Sequence, residues 1–280
     1  MRAATSRDSA WMLAAIGALA YLASLMTHEA LGHGLYCFAA GGHNTTIMPW
    51  WETCSFPGKL GLGIKAAGPL AQCAGGLLAW ILLQRVPASA IRLRSALWLY
   101  MSFCLLISTG YVAFSAVTGA GDAGELLAAV HASFAWRGTA FLLGSLGYFL
   151  SMRAGGYELK RLAGPDHGLQ RLFRLVWVPY VSAGAFACCV AAIGQVAGHG
   201  SAKGLAAASP GLNQLLGMMG MAVLSSFGAT AGMFGMPSMG STTVARARTT
   251  STYLGWSPAW GVSVGTLLVI ALIYVGLVAR

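Results

Sequence analysis

The chain has 280 residues, of which 57% are hydrophobic and 9% charged. That charged fraction lies far below the roughly one quarter usual in soluble domains, which excludes an ordinary soluble fold and points to an all-α, polytopic helical membrane protein. The net charge of +10 does not imply nucleic acid, because Lys and Arg fall mostly in short segments between apolar runs, where they set orientation and meet anionic lipid.

At about 20 apolar residues per span, seven transmembrane helices fit. They run near residues 10–38, 66–84, 95–118, 138–152, 175–197, 211–236 and 258–279. Arg2 and Arg7 precede the first run, which reads as a retained signal anchor. Counting Lys and Arg by alternate loops puts 12 on the N-terminal side and 5 on the other. The positive-inside rule then predicts a cytoplasmic N-terminus and places the end of the first span on the outer side. The expected location is a bacterial inner membrane.

The first run ends in Thr27-His28-Glu29-Ala30-Leu31-Gly32-His33-Gly34. Ionisable groups within a span usually face a protein interior and mark a functional site. Imidazole is the commonest metal ligand, and a neighbouring Glu can serve as general base. His28 and His33 stand at i and i+5. On a regular α-helix five steps turn about 500°, leaving the rings roughly 140° apart. Both reach one metal only if the helix opens, and a π-bulge absorbs the extra residue. Gly32 and Gly34 make such a turn cheaper. The alternative is the i, i+4 pair of Glu29 and His33, which makes Glu29 a ligand and leaves the base unassigned.

Residues 41–64 form a polar and aromatic loop with Trp50 and Trp51 at interface depth. It reads as a Trp-anchored connection, with a short hairpin as the alternative, and His43 as a solvated loop residue. Of the six cysteines, Cys37 and Cys54 flank this loop and can pair if it is extracytoplasmic. Cys73, Cys104, Cys188 and Cys189 fall inside spans as small apolar residues.

The second span opens with Gly68-Pro69-Leu70-Ala71-Gln72. The third carries Tyr111 and is followed by Gly119-Ala120-Gly121-Asp122-Ala123-Gly124-Glu125. Only seven acids occur in the chain, and two are here. Either carboxylate can serve as a third ligand. Two histidines, one carboxylate and one open position make a catalytic zinc pattern. A capping box, with Asp122 as N-cap and Glu125 three residues on, is the competing reading. Glu125 and His131 are alternative ligands.

The histidine segment resembles the HExxH motif of site-2-protease-like intramembrane metallopeptidases, with one extra residue between the histidines. Gly68, Pro69 and Gln72 look like that family's GPxxN element, with Gln in the place of Asn. The resemblance covers about residues 20–130. It implies a metallopeptidase-like core over residues 1–152 and Zn2+ held by His28, His33 and Asp122. It further implies Glu29 as catalytic base, Gly68, Pro69 and Gln72 as substrate-positioning residues, and a membrane-associated peptide or protein as substrate. Pro69 and its neighbours can also be read as a helix start, where Pro is tolerated.

Residues 153–174 interleave Leu159, Leu162, Leu169, Leu172 and Phe173 with Lys160, Arg161, Arg171 and Arg174. They read as a basic amphipathic connection on anionic lipid, broken near Gly164-Pro165. Residues 175–280 add helices of unassigned role. Met218, Met219 and Met221 precede Gly228 and Gly232, a small-residue packing pattern. The loop 238–257 is the expected flexible segment. Three other functions fit less of the pattern: a membrane hydrolase acting on a lipid or another amide, a non-catalytic metal-binding protein, and a di-iron lipid hydroxylase. The last needs several histidine boxes, whereas the six histidines here are mostly scattered.

Overall fold

The computed structural model describes residues 8–49, 51–56, 61–164, 168–198, 228–239, 253–255 and 257–278. Helix α1 (Ala10–Met26) continues through a π-helical segment (Thr27–Gly34) into α2 (Leu35–Ala39). Strands β1 (His43–Met48) and β2 (Trp51–Ser55) follow. Then come α3 (Gly63–Arg85), α4 (Ile91–Thr118), α5 (Gly121–Ala129), α6 (Phe134–Ala163) and α7 (Leu169–Gly198). A 3-10 helix (Gly228–Gly235) and α8 (Pro258–Val278) complete the described elements.

The all-α expectation holds, with one addition. The loop after α2 is an antiparallel hairpin, pairing His43 with Ser55 and Met48 with Trp51. Cys37 and Cys54 form a disulfide that ties this hairpin to α2.

Four helices among the described residues are long and apolar enough to cross a membrane: Ala10–Ala39, Gly63–Arg85, Ile91–Thr118 and Leu169–Val190. They match the first, second, third and fifth expected spans. The fourth expected span is the middle of α6, a helix of 30 residues that includes Arg137 and Arg153. Most of the sixth falls outside the described residues, as do Met218, Met219 and Met221; its end, with Gly228 and Gly232, is the 3-10 helix. Residues 1–7 and most of loop 238–257 also lie outside them.

Helix α4 is central and packs on α1, α3 and α6. Leu99, Met101, Phe103, Cys104 and Leu106 are fully buried there. Tyr21 of α1 meets the Phe103 ring edge-on at 5.4 Å. The Trp98 indole donates to the Gly155 carbonyl at 2.9 Å, which satisfies the one polar atom of a buried aromatic. Small residues let backbones touch: a Cβ on Gly144 would lie 2.6 Å from Ala113 N, and one on Gly17 would lie 2.5 Å from Pro179 Cα.

The segment 153–174 is not a separate surface helix. Residues 153–163 are the last third of α6, Gly164 turns the chain at φ +84°, and α7 starts at Leu169. Leu159, Leu162 and Leu172 are buried in the core. Protein covers most of the apolar face of this segment. Only Leu169 and Phe173 of the five apolar residues are exposed. Two of the basic residues meet buried acids: Arg171 holds Asp8 at 2.8 Å, and Arg161 pairs with Glu158 at 3.2 Å.

Candidate metal centre

The extra residue between the histidines is absorbed in the backbone. Thr27–Gly34 is a π-helix of eight residues, and Leu35 N–H donates to Ala30 O, an i→i+5 bond. A turn that closes over five residues brings His28 and His33 onto one face. The widened stretch is held at both ends. Thr27 Oγ1 donates to Ala23 O at 2.8 Å and accepts from the Tyr100 hydroxyl at 2.7 Å. Asn44 Nδ2 on β1 donates to Gly34 O at 3.0 Å. Gly32 allows close contact with α3, since a Cβ there would collide with Gly68 Cα.

The Nε2 atoms of His28 and His33 are 3.2 Å apart. Asp122 Oδ2 lies 3.1 Å from the first and 3.3 Å from the second. Asp122 sits in the first turn of α5, whose N-cap is Ala120 and carries no side-chain cap bond. The capping-box reading therefore fails; the carboxylate is turned to the histidines. Glu125, the alternative ligand, instead meets Lys65 Nζ at 2.7 Å. His131 and His43 are exposed.

The far side of each ring fixes its tautomer. His33 Nδ1 is 2.7 Å from Ile64 O. A carbonyl only accepts, so Nδ1 carries the proton and Nε2 presents a lone pair. Gln72 Nε2 donates to Ser24 O at 3.2 Å and Ser24 Oγ at 2.9 Å. This turns Oε1 towards His28 Nδ1 at 3.3 Å, and His28 is set the same way. Three acceptor atoms thus converge with no donor among them, an arrangement that calls for a cation. The three edges match the roughly 3.3 Å expected between donors about 2.0–2.1 Å from a tetrahedral zinc. Gly68 leaves the space clear: a Cβ there would lie 2.5 Å from His33 Nε2 and 2.6 Å from His28 Nε2.

Glu29 is half-buried, with His28, His33, Asp122 and Glu52 as its electrostatic neighbours. It is adjacent to the three donors without belonging to their triangle.

Gln72 is fully buried, with its amide on His28 and Ser24, where it orients the His28 ring. Pro69 lies inside α3, six residues past its start, so the helix-start reading fails. Gly68 clears space for the histidine nitrogens. Replacing Gln72 by Leu should keep the fold and weaken metal binding by roughly 10–100-fold, as loss of a ligand-orienting group does. Competition with a chromophoric chelator measures this; unchanged affinity would separate Gln72 from the centre.

Sequence reasoning passed over four contributors. Ser24 anchors Gln72 and accepts from Cys104 Sγ at 3.3 Å. The Ile64 carbonyl has no signature in sequence. Lys65 was counted only as a loop charge, but its Nζ is 4.0 Å from Asp122 Oδ1. Tyr111 meets the His28 ring edge-on at 6.3 Å, and its hydroxyl reaches the start of α5. Gly121, at φ +73°, makes room for that hydroxyl. No family model matches the chain, and no curated protein or solved structure matches it.

Proposed function

We propose that this chain is an intramembrane zinc-dependent metallohydrolase of the site-2-protease-like kind, cutting peptide bonds of membrane-associated substrates. The observation that carries the reading is the convergence of His28 Nε2, His33 Nε2 and Asp122 Oδ2 within 3.3 Å of one another beside a Glu that is not one of the three. Zn2+, when bound, supplies Lewis acidity that lowers the pKa of a coordinated water and polarises a carbonyl. His28, His33 and Asp122 hold the ion. Gln72 and Ile64 keep both imidazoles in the ligating tautomer. Glu29 accepts the proton of the attacking water and returns it to the leaving amine. A helical substrate has to unwind first, because its carbonyls are engaged in its own hydrogen bonds.

The wider arrangement is part of the proposal. Seven spans in a bacterial inner membrane, with the N-terminus in the cytoplasm, put this centre near the outer face. Exposed Leu142, Leu143, Leu146 and Leu150 on α6, and Val262, Leu267, Val269 and Ile270 on α8, support the fourth and seventh spans. The ion pairs of Arg161 and Arg171 gather at the opposite end from Lys65 and the histidines. The Cys37–Cys54 disulfide beside the centre suits an oxidising compartment.

A second reading has its own observation. A nearly all-apolar cleft of about 320 Å³, lined by Thr27, Leu31, Gly75, Leu78 and Tyr100 among others, adjoins the π-segment. It suits an acyl chain, and so a lipid-linked amide or ester as substrate.

Glu29→Gln tests both readings. The variant should keep its zinc and lose hydrolysis by at least about 100-fold, the scale of general-base catalysis. A reconstituted assay with membrane peptides and with lipids identifies the product. Loss of zinc would make Glu29 a ligand and leave the mechanism without a base. Full function with zinc retained would mark a non-catalytic metal-binding protein.

A further inference from the structure

A second group of donor atoms lies where the hairpin meets α2. Cys37 stands three residues beyond the π-segment and is disulfide-bonded to Cys54 on β2. A carboxylate oxygen of Glu52 and the two sulfurs all lie within 4.8 Å of one another. Glu52 Oε1 is buried and has no hydrogen-bond partner among the described residues. The backbone closes tightly over this place, since a Cβ on Gly42 would lie 3.0 Å from both sulfurs.

A disulfide offers a carboxylate neither a proton nor a charge, so the oxidised bridge itself does not account for Glu52 Oε1 beside it. With the S–S bond opened, the same atoms become two thiolates and a carboxylate, a donor set that suits Zn2+. The Cα atoms are 5.9 Å apart. Side-chain rotation alone can then part the sulfurs to the roughly 3.8 Å edge of a tetrahedral thiolate site.

We propose that Cys37, Cys54 and Glu52 form a second Zn2+ site, available only when the disulfide is reduced. The reductant is a dithiol. One of its thiolates attacks a cysteine sulfur, and its second thiol resolves the mixed disulfide. The S–S bond of the chain breaks and one forms in the reductant, two electrons pass, and both cysteines are left as thiols. Each thiol releases its proton on binding Zn2+. His33 and Lys65 are electrostatic neighbours of Glu52, so the second site adjoins the first, yet its donors are separate and it does not depend on the proposed hydrolysis.

The test is a Co2+ titration of the purified full chain, oxidised and after reduction with a phosphine. The reduced chain should bind one more Co2+ than the oxidised chain and show thiolate-to-cobalt charge-transfer absorption. Cys54→Ser should abolish both. Glu52→Gln should keep the absorption and weaken the added site by more than about tenfold. The oxidised wild type controls for folding. The proposal is overturned if reduction adds no Co2+, if the absorption survives in Cys54→Ser, or if Glu52→Gln binds as tightly as wild type.

Discussion

Gly68→Ala should empty the metal centre without altering one of its ligands. The added methyl would start 2.5 Å from His33 Nε2 and 2.6 Å from His28 Nε2, well inside contact distance. Neither ring can retreat and stay aligned. His33 is tethered through Nδ1 to Ile64 O, and His28 through Nδ1 to Gln72, which is itself fixed on Ser24. Turning the rings away breaks those bonds and separates the nitrogens from Asp122. Zinc affinity should fall by more than about 100-fold, beyond the usual cost of losing a group that orients a ligand. Gly138→Ala, where a Cβ meets nothing within 4 Å, should bind as wild type does. Chelator competition on both variants reads the difference; a Gly68→Ala chain with native affinity would remove the shared centre between the two rings.

The part of this centre that was legible in sequence was legible through scarcity and spacing. Two histidines and a Glu at the end of an apolar run are conspicuous, and Asp122 stands out because the chain has so few acids. The i, i+5 interval required a widened helix if the rings were to meet, and Thr27–Gly34 is π-helical. The partners of Gln72 were not legible, for a different reason. Sequence puts an amide one turn beyond Gly68 but does not say which neighbour faces it, and Ser24 with His28 lies 44 to 48 residues away. The Ile64 carbonyl could not be found at all, since every residue has one. Leu159 and Leu162 show the limit of periodicity: it identifies an apolar face without saying whether lipid or protein covers it. The hairpin was only the alternative reading, because short strands rich in Thr and Trp resemble an interface loop.

The second large effect is expected at His33. Its ring supplies one of three donors, and among the described residues no other imidazole joins the group. Removing it leaves one imidazole and one carboxylate, and water cannot replace the tethered geometry that Ile64 O imposes. The direct measurement is the zinc content, by elemental mass spectrometry, of purified full-length wild type beside His33→Ala, both exposed to equal zinc and then dialysed. The structure predicts one tightly held zinc per wild-type chain and close to none in the variant, at equal helical content. A wild-type chain that emerges free of metal, or a variant that keeps as much zinc as wild type, would contradict a centre built on His28, His33 and Asp122.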